Sequence, residues 1–389
     1  MKRCFRQTLV LFLAALLAAS LLLPAFAADE MQQLGDEATA NVTAAILYDE
    51  TNDVVLYEKD ADKHVQIGSI TKVLNACAAV KYMDADFPIR AAGELSYVKP
   101  YASRAPISYG ERYTFEQLLH AMLIPSGCDA AYVIADMTGR MAAGGRDSGL
   151  SSWAALQGGV AEMNKVLEEL DCRDSHFVNP DGQDEDGQYT TCRDFLKVLR
   201  HAMTNPLIRT VVGKYDYRCT DLNGNEHYWT TTNRMINPNS DWYYAGTKGI
   251  KTGSAIAAGY CMALEVERDG RTLISLVVGA DGDNARCTAT KKLMDAGFSQ
   301  PAPIKEPEPT PPNTTPPTTP VNPTGERPKG DIDNDMAVTP ADARLTLRIS
   351  IYLEDPAQFD LRYAEMDNDG YITPADARLV LRLAVGLES

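Results

Sequence analysis

The chain has 389 residues and a formal net charge of −16, with 53 acidic side chains against 37 lysines and arginines. This acidity argues against a nucleic-acid-binding protein, which normally carries a basic surface patch. The length allows two or three domains, so the organisation has to be established segment by segment.

The N-terminal 27 residues predict a signal peptide. Lys2, Arg3 and Arg6 precede an almost wholly apolar run at 9–23, and an Ala-Phe-Ala tripeptide at 25–27 supplies a cleavage site. A membrane anchor is the alternative, although the run is short for a spanning helix. We therefore expect an exported mature chain without a transmembrane anchor, secreted and associated with the cell surface.

The large domain is predicted over residues 36–299. Strands are expected at 44–48 and 54–57, helices at 68–83, from 114, at 153–170 and at 191–203, strands at 259–266 and 272–279, and a closing helix at 285–296. This order favours an α+β fold with an antiparallel sheet covered by helices. The Gly- and Ser-rich segment at 139–152 is expected to be a surface loop.

Three short motifs follow one another in this domain. They are Ser69-Ile-Thr-Lys72, Ser126-Gly-Cys128 and Lys251-Thr-Gly253. Each alone is weak, because a Ser-x-x-Lys is often a helix start with a solvated lysine and a Lys-Thr-Gly is often a turn. In this order, with the first opening a helix and the third opening a pair of strands, they indicate serine acyl transfer.

The residue types explain how such a site would work. Residues three apart share a helix face, so Lys72 can approach the Ser69 hydroxyl and activate it by taking its proton. The helix N-terminus and the second cation, Lys251, both disfavour protonated Lys72. Lys251 and Thr252 suit a substrate carboxylate, and Gly253 permits close approach.

Most of residues 40–299 resemble the serine D-Ala-D-Ala carboxypeptidases, the low-molecular-weight penicillin-binding proteins. The resemblance rests on five segments: IGSITK at 67–72, LIPSGCDA at 123–130, FVNPDG at 177–182, GIKTGS at 249–254 and AGY at 258–260. It implies a β-lactamase-like fold, a peptidoglycan stem peptide as substrate, β-lactam antibiotics as inhibitors and no catalytic cofactor.

The resemblance also implies roles for single residues. Ser69 would be acylated, Lys72 would be the base, and Ser126 would relay a proton to the leaving group. Lys251 and Thr252 would hold the terminal carboxylate of the substrate, beside Gly253. The backbone N–H groups of Ser69 and Ser254 would form the oxyanion hole.

The middle motif departs from the family, which usually has asparagine where this chain has Cys128. A thiol donates and accepts hydrogen bonds only weakly, so this cysteine weakens substrate positioning, shifts specificity or marks a disabled enzyme. A carboxypeptidase is our leading hypothesis. The alternatives are a serine β-lactamase, a non-catalytic peptidoglycan-binding pseudoenzyme, and a peptidase or esterase for other substrates. The five histidines lack metal-ligand spacing, which argues against a zinc carboxypeptidase.

Residues 300–329 hold eleven of the 22 prolines and predict an extended linker. Beyond it, residues 330–389 contain one twelve-residue pattern twice. Asp331–Asp342 is repeated 34 positions later as Glu365–Asp376, and each copy runs into an apolar helix. Oxygen ligands at loop positions 1, 3, 5 and 12 suit calcium.

The repeated loops resemble a dockerin, a small all-α module that binds a cohesin domain of a scaffold protein, as in a cellulosome. The resemblance implies two calcium ions, bound by Asp331, Asp333, Asp335, Thr339 and Asp342 and by Glu365, Asp367, Asp369, Thr373 and Asp376. Two departures stand out: Glu365 replaces the usual aspartate, and Met336 stands where the second loop has Gly370. We therefore expect one ion to bind more weakly.

Overall fold

The computed structural model describes residues 29–301, 327–334, 337–350, 359–367 and 371–384. The chain divides into two compact units, with the boundary between residues 304 and 305. The predicted signal peptide and most of the predicted linker lie outside the described residues. Within the described ranges, no helix is both long and apolar enough to span a membrane.

The first unit is built on a five-stranded antiparallel sheet. A helix at 29–38, α1, precedes it, and the strands of the unit are β1 (Ala44–Asp49), β2 (Val54–Lys59), β3 (Pro88–Arg90), β4 (Arg112–Thr114), β5 (Asp216–Thr220), β6 (Glu226–Thr230), β7 (Thr247–Ala255), β8 (Gly259–Arg268) and β9 (Arg271–Ala280). The sheet order is β2-β1-β9-β8-β7, and β3–β4 and β5–β6 form separate hairpins. The turn at Asp269-Gly270 has positive φ at both residues, as a tight two-residue hairpin requires.

Helices cover both faces of this sheet. They are α2 (Thr71–Ala79), α3 (Phe115–Leu123), α4 (Cys128–Ala142), α5 (Ser152–Glu169), α6 (Cys192–Thr204), α7 (Pro206–Val212) and α8 (Asp283–Ser299). Along β1, Ala44 and Ile46 join the core formed with α2 to α6, whereas Ala45 and Leu47 join the core under α8. This alternation follows from the two-residue period of a strand, and the predicted α+β fold is confirmed.

Several element boundaries differ from the sequence prediction. The first long helix ends at Ala79, and α4 continues through Gly139 into the segment expected to be a loop. A Cβ at Gly139 would lie 1.9 Å from the carbonyl oxygen of Ala155, so this glycine serves helix packing. The start near Thr114 is confirmed as a capping box, with Thr114 Oγ1 accepting from the Gln117 N–H at 3.2 Å.

The elements that were not predicted include α1, α4, α7 and the hairpins β3–β4 and β5–β6. For α7 the signal was present, since Asn205 caps the helix and Pro206 occupies its first turn. The seven cysteines of the described residues are free thiols, and six of them are buried.

The second unit contains α9 (Pro340–Ser350) and α10 (Pro374–Ala384) with a short 3₁₀ helix at Leu361–Tyr363. Its two small apolar clusters each combine both repeats: one contains Ile332, Ile349 and Ala364, and the other contains Val338, Ala343 and Val380. The two copies therefore fold as one body, because neither buries an apolar core alone.

Candidate active site and acidic loops

Ser69 and Lys72 meet where a 3₁₀ turn at Gly68–Ile70 leads into α2. Lys72 Nζ donates to Ser69 Oγ at 2.7 Å. The Lys72 side chain is fully buried, and Ser69 is 9% exposed. Ser69 lies in the 3₁₀ turn rather than in the α-helix itself, but the predicted approach of these two side chains is what the structure shows.

The Lys72 amine has two further contacts from distant parts of the chain. It donates to Cys128 Sγ at 3.3 Å and to the backbone carbonyl of Asp181 at 2.8 Å. An ammonium group has three donors and no acceptor, so these partners satisfy its charged form. In a neutral amine the contact with Ser69 reverses direction, and the hydroxyl donates to the nitrogen.

The middle motif forms the turn between α3 and α4. Ser126 has a positive φ of 66° and is 6% exposed. Its carbonyl accepts from Ser103 Oγ at 2.6 Å, and in the described part of the chain no hydrogen bond joins its hydroxyl to Ser69 or Lys72. The structure therefore places Ser126 at the site but does not connect it to the other two.

Cys128 is fully buried at the first position of α4. Its sulfur lies 3.4 Å from Ser103 Oγ, and its backbone N–H donates to the Ser103 carbonyl at 2.8 Å. Burial raises the pKa of the Cys128 thiol, while the nearby charge of Lys72 acts in the opposite direction. Cys128 thus contacts the lysine directly, at a position where burial favours the neutral form of the thiol.

The third motif lies in the middle of β7, the first strand of the predicted pair β7–β8. Lys251 and Thr252 are buried and Ser254 is exposed. Thr252 Oγ1 lies 2.5 Å from Thr232 Oγ1. In such a pair one hydroxyl donates to the other, and the second hydroxyl is left to donate to a bound carboxylate, which only accepts.

Two glycines bring the first and third motifs together. Gly68 has a φ of +54°, and a Cβ there would lie 2.8 Å from the backbone nitrogen of Ser254. A Cβ at Gly253 would lie 2.1 Å from the carbonyl of Ile67. The backbone immediately before Ser69 therefore lies directly against β7, an arrangement that suits N–H groups of Ser69 and Ser254 facing one oxyanion.

Lys251 is buried close to two other positively charged side chains. It is 1% exposed and donates to the Thr252 carbonyl at 2.9 Å. Burial first, and then the charges of Lys72 and Arg286, hold the pKa of Lys251 well below its usual range. The charge of Lys72 therefore acts on Lys251 across the site.

Sequence reasoning missed four residues that support these groups. Asp181 is fully buried, and its Oδ2 has no hydrogen-bond partner in the described part. Arg286 donates to the carbonyls of Gly253 and Cys261, at 2.9 and 3.3 Å, and so fixes β7 from the side of α8. Ser103 and Thr232 complete the set. Only Asp181 had a signal, since it lies inside the FVNPDG segment.

The acidic residues at 184–186 include two that contact other segments of the chain. Asp184 accepts from the backbone N–H of Ala257 at 2.8 Å, and Glu185 approaches Lys99 at 3.5 Å. Neither carboxylate makes a hydrogen bond with Ser69 among the described residues. The segment links the β7–β8 turn to the loop that carries Lys99.

In the second unit, the two predicted loops have the same internal contacts. Asp342 accepts hydrogen bonds from the N–H groups of Ile332, Asp333 and Thr339 and from Thr339 Oγ1, at 2.6, 3.3, 2.8 and 3.0 Å. The second loop repeats this set around Asp376, with Met366, Asp367 and Thr373 as donors at 2.6, 3.3, 2.9 and 3.2 Å.

Each loop also gathers its carboxylates. One oxygen from each of Asp331, Asp333 and Asp342 lies within 4.8 Å of the others, and the same holds for Glu365, Asp367 and Asp376. Glu365 Oε1 is buried without a hydrogen-bond partner in the described residues. Buried, unsatisfied carboxylate oxygen is the donor type that calcium takes, so these residues fit the ion. Asp335, Met336, Asp369 and Gly370 lie outside the described residues.

A family model for D-alanyl-D-alanine carboxypeptidases, Peptidase S11, matches residues 30–282. The D-alanyl-D-alanine carboxypeptidase of Streptomyces sp. strain K15 is 31% identical over 253 residues, which cover 63% of this chain and 82% of that protein. The carboxypeptidase DacF of Bacillus subtilis is 24% identical over 261 residues, and the match spans 62% of its length.

The crystal structure of the Streptomyces K15 DD-transpeptidase superposes with a TM-score of 0.60 at 29% identity, covering 67% of this chain and 97% of that one. Solved variants of that enzyme replace a serine and, two positions later, a cysteine, the spacing of Ser126 and Cys128. Others replace a serine and an arginine separated as Ser254 and Arg286 are. The family match over well over half of the sequence shows that this chain belongs to the D-alanyl-D-alanine carboxypeptidase family of serine hydrolases.

Proposed function

We propose that this protein is an exported D-Ala-D-Ala carboxypeptidase that trims peptidoglycan stem peptides through an acyl-enzyme on Ser69. The observation that carries the proposal is the buried contact of 2.7 Å between Lys72 Nζ and Ser69 Oγ. A serine hydroxyl becomes a useful nucleophile when a base within hydrogen-bond distance accepts its proton. Among the described residues, Lys72 is the basic side chain in contact with that hydroxyl.

Acylation then proceeds in two proton transfers. Ser69 Oγ attacks the carbonyl carbon of the penultimate D-Ala while its proton passes to Lys72 Nζ. Collapse of the tetrahedral intermediate breaks the peptide bond, and the proton travels from Lys72 through the Ser126 hydroxyl to the departing amine of D-Ala. Water later attacks the ester, which releases the shortened stem and restores Ser69.

The third motif supplies binding and charge stabilisation. Lys251, with Thr252 and Thr232, receives the terminal carboxylate, and the N–H groups of Ser69 and Ser254 stabilise the oxyanion. Two close lysines resist being charged together. A bound carboxylate would stabilise the charged form of Lys251, which burial and nearby positive charge otherwise disfavour.

Cys128 is compatible with this scheme. It contacts Lys72 and Ser103 from a fully buried position, so it packs the site where an amide would otherwise stand. The Streptomyces K15 enzyme, named as a carboxypeptidase and as a transpeptidase, also has a cysteine two positions after a serine. This favours an active enzyme over a pseudoenzyme disabled by Cys128.

A serine β-lactamase is the less favoured alternative. It needs a carboxylate that activates water against the acyl-enzyme, and no carboxylate among the described residues hydrogen-bonds with Ser69. Asp184 and Glu185 contact Ala257 and Lys99. Asp184 Oδ1 and Asp181 Oδ2 are buried without a hydrogen-bond partner in the described part, so these two carboxylates are the candidates for such a base. An acyl-enzyme that persists for minutes or longer separates a carboxypeptidase from a β-lactamase.

The deciding experiment incubates the mature protein with a fluorescent penicillin beside a Ser69→Ala variant. We expect a covalent, Ser69-dependent label and release of D-Ala from an acylated tripeptide that ends in D-Ala-D-Ala. A label that disappears within seconds indicates a β-lactamase. A folded protein that neither labels nor releases D-Ala contradicts the proposal. Adding an amine acceptor such as glycine tests whether the acyl group also passes to amines.

For the second unit we propose a calcium-dependent dockerin that attaches the enzyme to a cohesin on an extracellular scaffold. The matching hydrogen-bond sets around Asp342 and Asp376 and the gathered carboxylates support this. Bound calcium would neutralise the loop carboxylates and hold the entry of each helix. Calorimetric titration of the metal-free chain with calcium should show two sites, and pull-down with a purified cohesin panel should require calcium. Absence of calcium binding contradicts the assignment.

A further inference from the structure

Two exposed aromatic rings pack against each other at the start of α5. Tyr97 ends a 3₁₀ helix at Gly93–Tyr97, and Trp153 lies in the first turn of α5; their ring centroids are 5.3 Å apart. Tyr97 is 40% exposed and Trp153 is 55% exposed. Gly93 holds the two elements close, since a Cβ there would lie 3.0 Å from Ser152 Oγ. The two rings form one fixed apolar patch.

The segment that follows Tyr97 connects this patch to the active site. Its inner side chains Val98 and Ala102 share a buried cluster with Cys128, Tyr132 and Leu156. The segment ends at Ser103, whose hydroxyl lies 3.4 Å from Cys128 Sγ. Between them Tyr101 is 75% exposed. One face of the segment therefore lines the catalytic motif, and its other face presents aromatic rings to solvent.

The size of the patch decides which kind of partner fits. An aromatic side chain offers about 150–250 Å² of surface, so two half-exposed rings offer roughly 200 Å². A specific protein partner normally requires about 1,000 Å² or more, whereas one or two sugar rings cover roughly the area available. The apolar C–H face of a pyranose packs on an aromatic ring, and the polar edges of tyrosine and tryptophan reach the sugar hydroxyls.

We propose that Tyr97 and Trp153 form a binding site for the glycan strand that carries the stem peptide. This inference rests on the proposed function, because the substrate of that reaction is attached to a polysaccharide. A stem of four or five residues spans roughly 15 Å, and the segment from Tyr97 to Ser103 spans at most about 20 Å. The length of the stem is therefore comparable with the span of the segment that connects the patch to the catalytic motif.

The first test measures binding without peptide chemistry. A soluble β-1,4-linked oligomer of N-acetylglucosamine and peptide-free glycan strands are titrated into the full chain, with tryptophan fluorescence and calorimetry as readouts. We expect saturable binding that weakens about tenfold in Trp153→Ala and in Tyr97→Ala, the loss expected for one buried aromatic face. Trp153→Phe should retain most of the affinity. Tyr243→Ala, which removes another exposed tyrosine (49% exposed), is the control.

The second test separates binding of the strand from chemistry. With intact polymeric peptidoglycan, Trp153→Ala should raise KM about tenfold with little change in kcat, and release of D-Ala from the tripeptide should stay within about twofold of wild type. Equal effects on both substrates overturn the glycan site, as does wild-type protein that binds neither glycan probe. If the tripeptide itself is not cleaved, the proposed function fails, and the glycan titration still decides this inference.

Discussion

The two units of this chain assemble their candidate sites over different distances along the sequence. In the C-terminal loops, Asp342 accepts hydrogen bonds from residues three to ten positions away. In the catalytic unit, Lys72 contacts Cys128 and Asp181, 56 and 109 positions away. A short motif can therefore specify a loop, whereas the serine site exists only when several elements of the domain are packed.

The largest expected effect is at the centre of the serine site. Lys72→Gln removes the base and keeps a polar side chain of similar reach, so acylation by a fluorescent penicillin should slow by about 10²–10⁴-fold. The rate of labelling in a time course measures this. The midpoint of thermal unfolding shows whether the variant is folded, and a folded variant with near wild-type labelling would remove Lys72 from its proposed role.

A single substitution in a loop of the second unit should leave the activity of the serine site unchanged. Asp342→Ala removes a carboxylate that accepts four hydrogen bonds and belongs to the gathered ligand set. We expect calcium binding at that loop to be lost and the C-terminal unit to become sensitive to protease. Penicillin labelling should be unchanged.

Asp376→Ala is the matched variant for the second loop, and Asp360→Ala is the control because that aspartate pairs only with neighbouring Arg362 in the described contacts. If either loop variant also abolishes penicillin labelling, the two sites are not independent. Full calcium stoichiometry in Asp342→Ala would show that this carboxylate is dispensable.

We expect Lys251 to lower the stability of the folded protein while serving to bind the substrate. Its folded pKa is held well below the unfolded value by burial and nearby positive charge. Between these two values the unfolded chain binds more protons, so stability rises with pH in that window. Lys251→Met removes this pH dependence and should raise the free energy of unfolding at neutral pH by about 1–4 kcal/mol. The same substitution should weaken binding of the tripeptide substrate. Urea unfolding across pH measures the first effect, and an unchanged slope would argue against it.

The smallest effect tests a feature that the sequence showed directly. Thr114→Ala removes the N-cap of α3, whose hydroxyl accepts from Gln117. Loss of such a cap costs about 1 kcal/mol of stability, and penicillin labelling should not change, because Thr114 contacts none of the site residues. Thr114→Ser retains the hydroxyl and should keep the stability of the wild type. A Thr114→Ala variant as stable as wild type would show that the cap contributes nothing.

Much of the catalytic unit was predictable because its signals are local. The alternation in β1, the capping box at Thr114 and the three-residue spacing of Ser69 and Lys72 each depend on neighbours within a few positions. The predicted ends of helices were wrong where a residue that is typical of loops serves helix packing instead. Gly139 resembled a loop residue, but its missing side chain allows α4 and α5 to approach.

The sequence by itself predicted that Ser69, Lys72 and Lys251 belong to one catalytic arrangement, and it showed that two loops repeat the same pattern of acidic residues. Only the tertiary structure decided that Arg286 fixes β7, that Ser103 and Asp181 reach the Cys128–Lys72 contact, and that the Lys251 pKa is depressed. These depend on burial and on contacts between residues far apart in sequence. Hydrogen bonds and desolvation act over a few ångströms in space, whatever the separation along the chain.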